Sequence, residues 1–137
     1  MNATNKTSER LLTYQLELPW PAVTGNRAVR HTRTGGHYKM PQAGAYEAAV
    51  ALIVAGQGVG SQKGRKGLVG PLNAFWLLAP PDRRARDIDN VRKVVADALT
   101  LAGFWTDDSN KVLRRESFEW TDPVPGGQIF LTVEALA

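Results

Sequence analysis

An apolar run from Leu72 to Ala79 stops dead at Pro80-Pro81, and a few residues later an amphipathic helical pattern begins. No other feature constrains the fold as tightly. Leu72–Ala79 holds Phe75 and Trp76 and suits a central strand covered on both faces. Two consecutive prolines remove two ladder donors, so the strand must end there. Beyond them Val91, Val94, Val95, Ala98, Leu99 and Ala102 recur at helical spacing, which predicts a helix with one buried face. Asp89 or Asn90 can cap its start, and Gly103 stands where a helix usually ends.

The rest of the chain supplies what these two elements pack against. Tyr14, Leu16 and Leu18 alternate with Gln15 and Glu17, the period of a half-buried strand, and Pro19 and Pro21 end it. The basic stretch from Ala22 to Met40 reads as loop. A second helix is expected over Ala43–Ala55, ended by Gly56. Gly56 to Gly70 contains six glycines with Lys63, Arg65 and Lys66 and reads as a mobile connection. Strands are expected over Val112–Trp120 and Gln128–Ala135, joined across Pro123 to Gly127. The fold class is therefore α/β (α+β): one domain over residues 13–137, preceded by a flexible tail over residues 1–12, with no internal repeat.

A chain of 137 residues buries one core and is too short for two. It has no cysteine, which excludes disulfides, zinc ribbons and thiol catalysis and fits a cytoplasmic setting. No apolar run is long enough to span a bilayer, and residues 1–10 lack the apolar centre of a secretion signal, so no membrane partner is expected. Seventeen Lys and Arg against thirteen Asp and Glu give a net charge of +4, a balance that suits a polyanionic partner.

Acids nonetheless stand where a nucleic-acid binder should least want them. Asp82, Asp87 and Asp89 are threaded among Arg83, Arg84 and Arg86, and Asp107-Asp108 follow the helix. A bare carboxylate repels a phosphodiester; a divalent cation between them turns repulsion into attraction. Magnesium suits the pattern because it takes oxygen ligands, commonly one or two carboxylates completed by waters and phosphate oxygens. Asp87 and Asp89 are two apart on an extended entry to the helix, so both side chains can point the same way. Lys93 follows Asp89 by one turn of the same face and could meet a phosphate or stabilise developing charge. Asp108 belongs to the same site only if the fold brings its loop back along the helix.

Each of these residues has a plainer reading. Asp89 can simply cap the helix, Lys93 and Asp97 can form an exposed i,i+4 pair, and Asp107-Asp108 can be turn residues. Arg83, Arg84 and Arg86 can be a solvated loop, and His31 and His37 are better phosphate contacts than catalysts. Two motifs are excluded: no Gly-Lys-Ser or Gly-Lys-Thr forms a P-loop, and Val91 with a missing glycine rules out an EF-hand.

Taken together, the run from Asp82 to Lys93, then Asp97-Ala98-Leu99, then Ala102-Gly103-Phe104-Trp105-Thr106-Asp107-Asp108 resembles the RusA family of Holliday junction resolvases. Leu18-Pro19-Trp20-Pro21 before Asn26-Arg27 is similar to that family's N-terminal strand and turn. The resemblance implies a homodimer whose subunit has a small mixed four-stranded sheet and two main helices. It implies paired nicking of four-way DNA junctions with Mg2+, for which Mn2+ can substitute, and no nucleotide cofactor. The family's essential acids fall here on Asp87, Asp89 and Asp108, expected as both catalytic residues and metal ligands, and its essential lysine on Lys93. Arg30, Arg33, Lys39, Lys63, Arg65, Lys66, Arg84, Arg86 and Asn90 are candidate DNA contacts. The alternatives are a branched-DNA-binding protein that does not cut, a flap or general nuclease on the same scaffold and, least of all, a phosphohydrolase with a non-nucleic-acid substrate.

Overall fold

The computed structural model describes residues 11–22, 29–31, 37–39, 41–58 and 67–136. Among the described residues, six strands and two helices follow one another as β1 (Leu11–Pro19), β2 (Val29–His31), β3 (His37–Lys39), α1 (Pro41–Ala55), β4 (Leu72–Ala79), α2 (Ile88–Leu101), β5 (Leu113–Trp120) and β6 (Gln128–Leu136). Four of the strands form one mixed sheet in the order β1-β6-β4-β5. Strand β6 runs antiparallel to both neighbours, with Leu16 opposite Leu131 and Trp76 opposite Leu131, while β4 and β5 are parallel. β4, α2 and β5 thus form a strand–helix–strand crossover, the connection a parallel pair requires.

Both helices pack on one face of this sheet. Tyr46, Val50 and Val54 of α1 and Val91, Val95, Ala98 and Leu99 of α2 share one core with Leu16, Leu18, Leu72, Ala74, Trp76, Leu78, Ile129, Leu131 and Val133. The helical stripe expected on α2 is the buried one. The tyrosine hydroxyl of Tyr46 donates to Pro19 O at 2.8 Å, tying α1 to the end of β1, and burial pushes its pKa up. No helix of the described residues is long and apolar enough to cross a membrane.

The structure corrects the sequence reading at several points. Strand β4 is covered on one face only: Leu72, Ala74, Trp76 and Leu78 are buried, whereas Leu77 on the open face is 37% exposed. Two helices are too few to cover both faces of four strands. The stretch read as loop contains a two-stranded antiparallel ribbon, with Val29 opposite Lys39 and His31 opposite His37. Three-residue strands are too short for a period to register in sequence. β1 starts at Leu11, inside the presumed tail, because pairing with Leu136 extends the ladder. Helix α1 starts at Pro41, a position that tolerates proline because the first turn's N–H groups need no intrahelical partner.

The last residues of the glycine-rich connection are fixed in place. Leu68 N donates to Phe104 O at 2.8 Å, Thr106 N to Leu68 O at 2.9 Å, and Leu72 N to Val112 O at 2.8 Å. A Cβ on Gly70 would sit 2.6 Å from Val112 Cα, so only glycine permits this approach. These bonds fold the segment after α2 back against the strand entry, and Asp107 and Asp108 ride on it.

Candidate active site

The acids enter the structure on two segments, one leading into α2 and one leading out of it. The first follows β4 and is shaped by Asp82. Its Oδ1 accepts from Arg84 N at 3.0 Å and from Arg84 Nε at 3.2 Å, and lies 2.8 Å from Arg86 Nη2. Arg86 Nη1 donates to the carbonyls of Asp82 and Arg84 at 3.0 and 3.1 Å. The bond from Arg84 N, with those from the two guanidinium groups, pulls the Asp82 carboxyl down to about 2. Asp82 is therefore the hub of the turn rather than one of the site's available acids.

Trp20 closes the floor beneath this turn. The Arg86 guanidinium lies 5.6 Å from the Trp20 ring centroid, a cation–π contact, and its side chain is only 14% exposed. Gly127, at φ +74°, makes room for Trp20: a Cβ there would fall 2.7 Å from Trp20 Cβ. Arg84 in contrast stands 80% exposed, and Arg83 is exposed as well. Between Trp20, Pro21, Arg84, Arg86, Asp87 and Asn90 lies an open groove of about 680 Å³. It is open to solvent and carries cation and acid together.

Asp87 is the N-cap of α2, with extended backbone and its Oδ1 accepting from Asp89 N at 3.4 Å. This moves the cap two residues before the expected Asp89 or three before Asn90. Asp89 instead sits in the first turn, where the helix N-terminus favours an anion. It is exposed, and among the described residues no hydrogen bond or ion pair engages its carboxylate. Lys93 projects from the exposed side of α2, with Nζ 3.5 Å from Asp97 Oδ2. That is the exposed pair the plainer reading anticipated, worth only a few tenths of a kcal/mol.

On the outgoing segment the two neighbouring aspartates divide their tasks. Asp107 accepts from Asp108 N at 2.9 Å and from the Ser109 hydroxyl, and these bonds lower its pKa, that from Ser109 most. It builds the turn. Asp108 keeps its carboxylate off these bonds and is tied to α2 through Arg92, whose Nη2 donates to Asp108 O at 3.1 Å. Arg92 also grips Glu116 of β5, at 3.2 Å from Nε to Oε2 and 3.0 Å from Nη2 to Oε1. Neither Arg92 nor Glu116 was singled out from sequence. The available signal was parity: Glu116 shares a face of β5 with Phe118 and Trp120 and pairs with buried Ala74 of β4, where a part-buried carboxylate requires a partner.

The structure thus brings Asp87 and Asp89 together at the head of α2 and folds the Asp108 loop back against the same helix. It does not gather them into one ligand set: among the described residues no group of three acids or histidines lies close enough to share a metal ion. The donors do fit magnesium in kind, being carboxylate oxygens only, and one or two carboxylates suffice when waters and phosphate oxygens complete the shell. Of the expected DNA contacts, Arg84, Arg86 and Asn90 border the groove, Arg86 with its side chain packed over Trp20 and mostly buried. Arg30 and Lys39 lie on the ribbon, described in its backbone alone, and Arg33, Lys63, Arg65 and Lys66 lie outside the described residues.

Comparison with known proteins matches this arrangement of residues to one family. The family model described as Endodeoxyribonuclease RusA matches residues 19–132, which span β1's end, the groove, α2 and the Asp108 loop. The chain is 41% identical over 100 residues to "Crossover junction endodeoxyribonuclease rusA" of Enterobacteria phage 82, covering 73% of this chain and 78% of the relative. It is 40% identical over the same shares to the RusA protein of Escherichia coli K12 and 39% to that of Shigella sonnei. With most of its length matched and the acids of α2 inside the match, this chain belongs to the RusA endodeoxyribonuclease family.

Proposed function

We propose that the protein is a crossover junction endodeoxyribonuclease that cuts four-way DNA junctions by hydrolysing a phosphodiester in each of two opposed strands. The relatives carry the activity in their names. The single observation in this chain that supports it most is the head of α2: the cap Asp87 lines a groove walled by the exposed Arg84, and beside it stands an exposed Asp89 whose carboxylate has no partner among the described residues. A site for a neutral or cationic substrate has no use for an exposed arginine there, and a pure DNA grip has no use for an unpaired carboxylate.

The residues that would hold a magnesium ion, or manganese in its place, are Asp87, Asp89 and Asp108. Bound there, the ion supplies an acidified water and charge compensation for the phosphodiester. The chain's own groups do the rest. Arg84 and Asn90 seat the backbone in the groove. The N-terminus of α2 stabilises anionic oxygens. Lys93, held to Asp97 only weakly, can turn to the phosphate and stabilise charge as the water attacks phosphorus.

Paired cutting calls for two sites, and one subunit has one cluster of acids, so we propose a two-fold homodimer. The open face of the sheet, with Phe75, Leu77 and Phe130, is the apolar surface a second copy would cover. With relatives from a phage and from enterobacteria, the protein is expected to act in the bacterial cytoplasm, encoded by a bacterium or by a phage or prophage. The test of the activity is the substrate range: a four-way junction should be cut far faster than linear or flapped duplex, and equal cutting of all three would favour a general nuclease.

A further inference from the structure

We infer that Arg92 is a positioning residue for Asp108, itself held in place by Glu116, so that the cutting site extends from α2 onto β5. This rests on the reading of Asp108 as one of the acids that act at the phosphodiester. Arg92 lies three residues after Asp89, and its side chain is 24% exposed. A guanidinium drawn that far from water needs compensation. It has it from two sides: a forked pair of bonds to the Glu116 carboxylate, and the bond from Nη2 to Asp108 O. Glu116 Oε2 in turn accepts from Trp76 Nε1 at 3.0 Å, and Trp76 is 2% exposed in the core. A continuous chain of contacts therefore runs from a buried indole through Glu116 and Arg92 to the acid.

Two details distinguish this from an ordinary surface ion pair. Arg92 binds the carbonyl of Asp108, while its Nη1 stays 4.0 Å from Asp108 Oδ2, beyond hydrogen-bond length. The main chain is held by a hydrogen bond, whereas the carboxylate, among the described residues, meets Arg92 only through this long ion pair and can still turn to a ligand. Glu116 holds Nε and Nη2, and so fixes the guanidinium with Nη1 at that distance from the carboxylate. Removing Glu116 thus releases Arg92 to consume the acid it now presents.

The test uses the full chain and three readouts: single-turnover cleavage of a synthetic four-way junction as a function of Mg2+, junction affinity without divalent metal, and metal-free amide exchange over residues 106–111. Arg92→Ala should lower cleavage by roughly 10- to 100-fold, the usual loss when a residue that orients a ligand is removed. It should also raise the Mg2+ concentration for half-maximal cutting, speed exchange at Asp108, and leave metal-free junction affinity unchanged. Glu116→Gln should raise the Mg2+ requirement in the same direction, and Arg92→Lys should recover part of the loss. A purely structural role would lower stability without moving the Mg2+ requirement, and that result overturns the inference. So does wild-type cutting by Arg92→Ala when Asp108→Asn is inactive. Wild-type cutting by Asp108→Asn would instead overturn the reading of Asp108 on which this rests. If Arg92→Ala fails to fold, Arg92→Lys and Glu116→Gln decide by the same shift in Mg2+ requirement.

Discussion

Asp87 Oδ1 accepts the backbone N–H of Asp89 at 3.4 Å, so one aspartate caps α2 while the other's carboxylate has no partner among the described residues. The pair separates a structural duty from a chemical one within three residues. Asn caps a helix about as well as Asp, whereas Ala costs about 0.5–2 kcal/mol. Asp87→Asn is therefore expected to melt like the parent protein and to cut poorly, and Asp87→Ala to lose both stability and cutting. Thermal denaturation beside junction cleavage checks this; full cutting by Asp87→Asn would show that only the cap matters.

The two arginines of the turn should behave differently. Arg84, 80% exposed, is expected on replacement by Ala to weaken junction binding and reduce the slope of log affinity against log salt by roughly 1, with no change in melting. Arg86 is packed over Trp20 and bonded to Asp82, so Arg86→Ala should lower stability, by about 1–2 kcal/mol from the lost cation–π contact and buried bonds. Salt titrations of binding and denaturant melts of both variants separate the cases.

Asp82 carries a pH signature. Its folded-state value of about 2 lies below the ordinary 3.8, so its stabilising effect is complete above that ordinary value and is lost as pH falls through the folded one. Asp82→Asn should be less stable than the parent at neutral pH. The gap should narrow as pH drops through this window, which acid-unfolding curves of the two proteins would measure.

A charge on the open sheet face tests the proposed dimer. Phe130 is 40% exposed in the single subunit, so Phe130→Glu should cost the subunit little. It should shift the protein to monomer in analytical ultracentrifugation and replace paired nicks by isolated ones. A variant that stays dimeric would move the interface elsewhere.

How much of this was legible in the sequence depended on the range of the interaction. β4 and α2 were readable because Pro80-Pro81 and the stripe from Val91 to Leu99 are local signals, and both stand where expected. The acids at the head of α2 were readable for the same reason. The identity of the cap was not, because Asp87, Asp89 and Asn90 are all good caps and only the backbone angles at Asp87 decide among them. The split between Asp107 and Asp108 was invisible, since Ser109 on one side and Arg92 on the other determine it. Arg92 and Glu116 lie 24 residues apart and meet only because β5 runs parallel to β4 beneath α2. The one-sided burial of β4 follows from both helices sharing a face, which no pattern within Leu72–Ala79 records.

The most direct test of the central claim is end-labelled cleavage of a synthetic four-way junction by the parent protein and by Asp89→Asn, with junction binding followed in parallel. Because no group among the described residues bonds the Asp89 carboxylate, the variant should fold and bind like the parent while symmetrical nicks on opposed strands disappear. Undiminished nicking by Asp89→Asn would contradict the assignment of the cutting site to the head of α2.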